Sequence, residues 1–388
     1  MPIAEAKRLS HIKEYYFSKK LAEIAQLNKE GYDIINLGIG SPDLPPDESV
    51  LKQLEQTSAQ SSAHGYQPYR GIEALRHAMS QWYLKTYNVE LDPQDEILPL
   101  MGSKEGIMHI SLAFLNDTDQ VLVPDPGYLA YATAAKMAGA TPISYPLTEP
   151  DWEPDWQYLE GLDWSRVKLW WINYPHMPTG TRTTDKKLSK ILALAKEKNV
   201  LLINDNPYSL VLNEESPISL LQQEGFRDNA MELNSLSKSH NMAGWRVGML
   251  SGSKANIDSV LKVKSNFDSG MFKGIQEASI QALSLSDEWH HERNTIYKKR
   301  RALAYEILEH LKCTYSKDQV GLFVWARVPD STENVEEWVN EILYKARVFI
   351  TPGFIFGDQG RQYIRISLCA TEEKLSASLN RIKTKLSK

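Results

Sequence analysis

Cysteine is nearly absent from this 388-residue chain, which has two, Cys313 and Cys369. Two thiols make no disulfide framework, and no cysteine pair has zinc-ligand spacing. A disulfide-stapled secreted domain and a cysteine-rich metal module are therefore excluded, no metal is expected, and a reduced, cytoplasmic setting is. Basic excess is lacking too. Lys and Arg number 44 against 49 Asp and Glu, a formal net charge of −5, so nothing electrostatic draws the chain to nucleic acid. No run of eighteen apolar residues occurs, which argues against a spanning helix. The opening MPIAEAKRLSHIKEYYFSKK is polar and lacks an apolar core, so no secretory leader is expected. Repeats and low-complexity tracts are missing as well.

What the chain has is length, aromatic rings and an alternating pattern. Ten Trp and eighteen Tyr can fill a core, stack on a flat cofactor or form an interface. Residues 10–30 carry helical spacing through Ile12, Tyr15, Tyr16, Leu21, Ile24 and Leu27. Segments 46–63 and 71–87 read as helices. From residue 95 short β-rich runs begin: EILPL, QVLVPD, TPISYPL, VKLWWIN, VLLINDN, AMELNS and WRVGMLSG. Helical patterns at 105–115, 129–138 and 184–198 separate several of them. That alternation predicts an α/β layer with a mostly parallel central sheet, whose chemistry collects beyond the carboxyl ends of its strands. A long helix over 286–311 and an α+β remainder place a boundary near residue 285, with the first forty or so residues packing on the last part.

Several loops carry candidate chemistry, each beside a plainer alternative. Gly102-Ser103-Lys104 precedes a helix whose free N–H groups suit a phosphate; Ser103 equally serves as an N-cap. Tyr128, after VPDPG, either stacks on a planar ring or packs on the sheet. Asn173, after WWI, either bonds a ring hydroxyl or closes a turn. Asp205 ends an apolar strand, and the break at Pro207 lets Tyr208 face the same place; an aspartate there can hold a protonated pyridine nitrogen. SLSKSHNMAGWRVG offers Ser235, Ser237, Lys238 and Arg246: a nucleophilic amine flanked by phosphate ligands. Ser235 to Lys238 also matches S-x-x-K of acyl hydrolases, but the companion S-D-N and K-T-G strings are missing. Arg365, inside the strand YIRIS, either pairs structurally or clamps a carboxylate. His290-His291 reads as a solvated helix face. Gly38-Ile39-Gly40 lacks the third glycine of a dinucleotide fingerprint.

The ordered strings NLGIGSPD, YQPYRGIEALR, GSKEG, DPGYLAY, NYPHMPTG, DNPY, SLSKSHNMAGWRVG and YIRIS resemble class I/II aminotransferases of PLP (pyridoxal 5′-phosphate) fold type I over essentially the whole chain. The opening run also resembles the diaminopimelate-type subgroup. The resemblance implies a large PLP-binding domain over 46–285, a small domain over 286–388, and an N-terminal arm, 1–45, lying partly with the small domain. It implies that Lys238 carries the cofactor and shuttles a proton, Asp205 holds the pyridine nitrogen, Tyr208 bonds the 3′ oxygen and Tyr128 stacks on the ring. Ser103, Lys104, Ser235, Ser237 and Arg246 surround the phosphate, and Tyr66 reaches that of a neighbouring subunit, so a homodimer is expected. Arg365 and the Gly40 backbone receive the α-carboxylate of an amino-acid or 2-oxo-acid substrate. One position departs: the usual N-P-T-G is Met177-Pro178-Thr179-Gly180 here, leaving Asn173 and Tyr208 for the 3′ oxygen. The expected activity is ping-pong transamination. A C–S lyase on the same cofactor stays open as an alternative, as does a non-enzymatic PLP-sensing regulator, for which the short segment before NLGIG leaves little room. Side-chain selection is not legible; Tyr15, Tyr16 and the segment Phe267 to Phe272 are candidate contributors.

Overall fold

The computed structural model describes residues 3–9 and 16–386. Of the helix expected over 10–30, the described part runs Tyr16–Lys29; Ile12 and Tyr15 lie outside the described residues. The strands, in chain order, are β1 (Ile35–Asn36), β2 (Ile97–Leu100), β3 (Gln120–Asp125), β4 (Thr141–Thr148), β5 (Glu153–Pro154), β6 (Val167–Ile172) and β7 (Leu201–Asp205). β8 (Ala230–Ser235), β9 (Gly248–Gly252), β10 (Phe323–Arg327), β11 (Val348–Phe349), β12 (Thr351–Pro352) and β13 (Tyr363–Ser367) follow. Among the described residues one eight-stranded sheet dominates, in the order β2-β9-β8-β7-β6-β3-β4-β5. Pairing is parallel from β8 through β7, β6 and β3 to β4. β9 runs against both β2 and β8, so β2 points the same way as the parallel strands.

The strands read as continuous apolar runs because both faces are covered. On β6, Trp170 and Ile172 enter one core while Leu169 and Trp171 enter the other. On β7, Leu202 and Ile203 divide in the same way. Trp170 and Trp171 are both 0% exposed; truncating either to Ala removes roughly 3–5 kcal/mol. Helices Ser103–Phe114, Ala130–Met137 and Lys254–Lys264 contribute to the second core. The last of these, and Lys273–Leu283, fall where the sequence pattern marked no helix.

The long helix spans Asp287–His310, and the Ser286 side chain caps it by accepting from Trp289 N. Beyond it, β13 pairs antiparallel with β10 and β12. β1 pairs parallel with β11, and Ser367 N donates to Leu37 O at 2.8 Å, so the N-terminal segment is tied to strands more than 300 residues later. Cys313 and Cys369 are both free thiols. Among the described residues no helix is long and apolar enough to cross a membrane.

Candidate active site

The topology puts one set of loops at one edge. β2, β3, β6, β7 and β8 end there, and the reversed β9 begins there, delivering Ser103, Tyr128, Asn173, Asp205, Lys238 and Arg246 respectively. These loops, the loop at Gly40 and the strands β10 and β13 enclose a cavity of about 400 Å³, within the usual range for small-molecule sites. Ser103, Lys104, Tyr128, Asn173, Asp205, Tyr208, Ser235, Ser237, Lys238, Arg246, Gly40 and Arg365 all line it. Tyr66 does not; it stands 93% exposed. Tyr16 packs edge-on against Phe354 instead, Phe267 and Phe272 lie outside the cavity lining, and Tyr15 is outside the described residues.

The anion-binding end is built from the helix Ser103–Phe114. Its N-cap is Gly102, not Ser103, with no side-chain cap bond, so the N-cap reading of Ser103 gives way. Ser103 is the first helical residue and its Oγ donates to Asn234 O at 3.3 Å. Gly102 has φ +91°, and a Cβ there would collide with the Arg246 guanidinium; only glycine admits both conformation and arginine. A Cβ on Gly248 would sit 2.7 Å from Ser103 N, so β9 presses directly beneath the helix start. Ser235 Oγ accepts from Ser237 N at 3.1 Å, and Arg246 Nη1 reaches Ser237 Oγ at 3.4 Å. Helix N–H groups, two hydroxyls and a guanidinium thus converge, the chemistry that a phosphate monoester requires.

Across the cavity, Asp205 is 6% exposed. Its Oδ2 accepts from Tyr131 OH at 2.8 Å, while Oδ1 is buried without a hydrogen-bond partner. Burial pushes its carboxyl up to about 6; the Tyr131 bond opposes this and the Glu232 charge adds to it. A lone buried carboxylate oxygen calls for a cationic N–H. Lys238 Nζ donates to Gly40 O at 2.6 Å, and burial lowers its pKa. Tyr208 lies edge-on to Phe323, 6.2 Å between centroids.

Arg365 is 7% exposed and, among the described residues, has no carboxylate within ion-pair distance. Its Nη2 donates to Gly38 O at 2.9 Å, Nη1 lies 3.4 Å from Met177 Sδ, and Nε has no partner. The guanidinium rests 3.8 Å from the Phe323 ring centroid. Burial pulls its pKa down to about 10. A cation so placed, without a counter-anion, suits a bidentate carboxylate.

Asn173 braces the loops. Its amide donates to Asp205 O and its carbonyl accepts from Met177 N at 2.9 Å, so two of its hydrogen-bonding groups serve the backbone. His290 is half-buried, with its ring 5.0 Å from His240 at 83°, which corrects its reading as a solvated face. Sequence reasoning missed Tyr131 and Phe323. A second aromatic three residues after Tyr128 was the available signal for the first; nothing local marked the second.

The family model described as aminotransferase class I and II matches residues 32–382. The chain belongs to this family. The LL-diaminopimelate aminotransferase of Maridesulfovibrio salexigens is 37% identical over 385 residues, covering 97% of this chain and 98% of the relative. Its counterpart in Aquifex aeolicus is 37% identical over 383 residues, 97% of each chain. Among solved structures, apo-BacF from Bacillus subtilis superposes with TM-score 0.94 at 33% identity, over 99% of this chain and 98% of that one. A probable N-succinyldiaminopimelate aminotransferase from Thermus thermophilus gives 0.88 at 30%, over 95% and 99%. Class I and II aminotransferases depend in general on PLP, and this aminotransferase shares their fold type I architecture. Its activity is transamination; the named relatives lend nothing to the lyase or regulator alternatives.

Proposed function

We propose that the 400 Å³ cavity holds PLP across its length and that Lys238 is the amine that carries it. The observation that supports this best is a pair of groups lining the same cavity as Lys238: Asp205, whose Oδ1 is buried without a hydrogen-bond partner, and Arg365, which among the described residues has no carboxylate partner. One suits a pyridinium and the other a substrate carboxylate. The residues fit the cofactor's three recognition needs, an anion cradle, an acid for the ring nitrogen and an amine for the aldehyde.

When bound, the cofactor supplies an electron sink for the pair left as the substrate's Cα–H bond breaks. The chain's residues do the rest. Arg365 grips the α-carboxylate and fixes the amino acid's orientation. Lys238, its ammonium form disfavoured by burial, takes the Cα proton as a base and, with the cofactor bound, would hand it to the cofactor's C4′ carbon; the opposite half-reaction would carry a proton back from C4′ to Cα. Asp205 holds a proton on the ring nitrogen. Tyr208 donates to the ring's 3′ oxygen, and Tyr128 packs on the ring. Ser103, Lys104, Ser235, Ser237 and Arg246 hold the phosphate.

The second product of the reading is a homodimer. Tyr66 is 93% exposed and lies outside its own chain's cavity lining, and a neighbouring chain's phosphate gives it a role. Amino acid and 2-oxo acid are the substrate pair; given the relatives' names, LL-diaminopimelate with 2-oxoglutarate is the first pair to test. The decisive experiment is a half-reaction screen. The bound cofactor's visible band is expected to convert to that of the amine form with a donor and to return with a 2-oxo acid. No conversion with any amino acid overturns the proposal.

A further inference from the structure

The residue most directly tied to Asp205 is Tyr131, on the helix Ala130–Met137. Its hydroxyl donates to Asp205 Oδ2 at 2.8 Å, and the residue is 0% exposed. The ring lies 4.8 Å from that of Trp171, 8° from parallel, and Tyr128 meets it edge-on at 5.6 Å. Burial first, then the Asp205 charge, hold the phenol well above its ordinary range, so it stays protonated and acts as a donor. The two oxygens of Asp205 are therefore divided. Oδ2 is fixed by Tyr131, which stops the carboxylate from turning, and Oδ1 is left for a cavity ligand.

Resting on the PLP reading, we infer that Tyr131 is a positioning residue that aims Asp205 Oδ1 at the cofactor's ring nitrogen and keeps that carboxylate ionised. The groups around Asp205 make the second half of this necessary. Glu232, on the adjacent strand β8, pushes the Asp205 carboxyl towards protonation, as burial does. Glu232 is itself 0% exposed and is held by Asn204 Nδ2 at 2.9 Å, Ser219 Oγ at 2.7 Å and Leu220 N at 3.0 Å. The phenols of Tyr128 and Tyr208, the Lys238 amine and the Arg365 guanidinium line the same cavity. The hydrogen bond from Tyr131 is the influence that favours the anion.

The test is the dissociation constant of PLP from the full-length chain between pH 5 and 8.5, for wild type and Tyr131→Phe. The substitution keeps the ring and its stacking and removes one donor. A protonated Asp205 must lose its proton before a ring nitrogen that already carries one can dock, so affinity falls on the acid side. Losing the Tyr131 bond is expected to move that acid limb up by about one pH unit. The gap between the two proteins is then smallest at pH 8.5, where only the lost aim counts, and widens by a further factor of about ten by pH 5. The cofactor phosphate titrates near pH 6 in both, so the ratio removes it. A constant offset at every pH, as a merely structural residue would give, overturns the inference. Should Tyr131→Phe fail to fold, 3-fluorotyrosine at position 131, a stronger donor of nearly the same shape, is expected to move the limb the other way; an unmoved limb overturns the inference. Wild-type protein that binds no PLP at any pH defeats the cofactor reading itself, a result distinct from superimposable curves.

Discussion

Lys238 Nζ and Gly40 O lie 2.6 Å apart across 198 positions of sequence. The bond holds the amine in the cavity lining with a neutral acceptor, and among the described residues no carboxylate pairs with it. Lys238→Ala is expected to abolish the borohydride-fixed cofactor label on the peptide containing position 238. Turnover should fall by at least about 10³-fold, the scale of losing a positioned base. Peptide mass spectrometry after reduction checks the first outcome and steady-state rates the second.

Arg365 has aromatic, thioether and backbone neighbours but, among the described residues, no anionic partner. Arg365→Gln removes the charge at little change of volume. The kcat/KM for amino acids is expected to drop about 100-fold, near 3 kcal/mol for a lost charge-assisted pair, mostly through KM. The measurement is a substrate saturation series with donor and acceptor varied in turn.

Tyr66 is expected to act between chains. Tyr66→Phe should weaken PLP binding about fivefold, the worth of one hydrogen bond near 1 kcal/mol. Hybrid dimers of Tyr66→Phe with Lys238→Ala chains contain one site with both native residues. Full cofactor affinity at that site is expected, and a monomer in sedimentation contradicts the arrangement.

His176 is 2% exposed, and burial holds its imidazole down to about 3. An unfolded histidine titrates near 6.5, so the folded pKa is the lower one. The stabilisation is complete above about pH 6.5 and is lost as pH falls towards 3, at about 1.4 kcal/mol per pH unit for one proton. His240 and His290 are shifted in the same direction by burial. Urea midpoints are expected to decline from pH 6.5 to 5, and His176→Gln to remove its own share of that slope.

The sheet and the loops at its carboxyl edge were legible because both rest on local pattern. β6 and β7 are mostly apolar since each face meets a core, Asp205 closes β7, and Ser103 and Lys238 each lie three residues past a strand end. What escaped was long-range. Tyr131 meets Asp205 over 74 positions, and Met177 meets Arg365 over 188; no window of sequence contains either pair. Asn173 looked available for a ligand because a turn asparagine does not announce which backbone groups it will serve. The helices Lys254–Lys264 and Lys273–Leu283 were hidden because polar residues share their buried faces, Lys264 on the first and Gln276 and Ser279 on the second.

The splice between the chain's two ends carries a mechanical consequence. Gly38 O accepts from Arg365, Ile39 O accepts from Ser367 Oγ at 2.6 Å, and Leu37 O accepts from Ser367 N. Residues 37–39 and 365–367 therefore move as one rigid lever with the carboxylate grip at its tip. A ligand that tightens the grip should slow amide exchange in both stretches together, though one lies near the chain's start and the other near its finish.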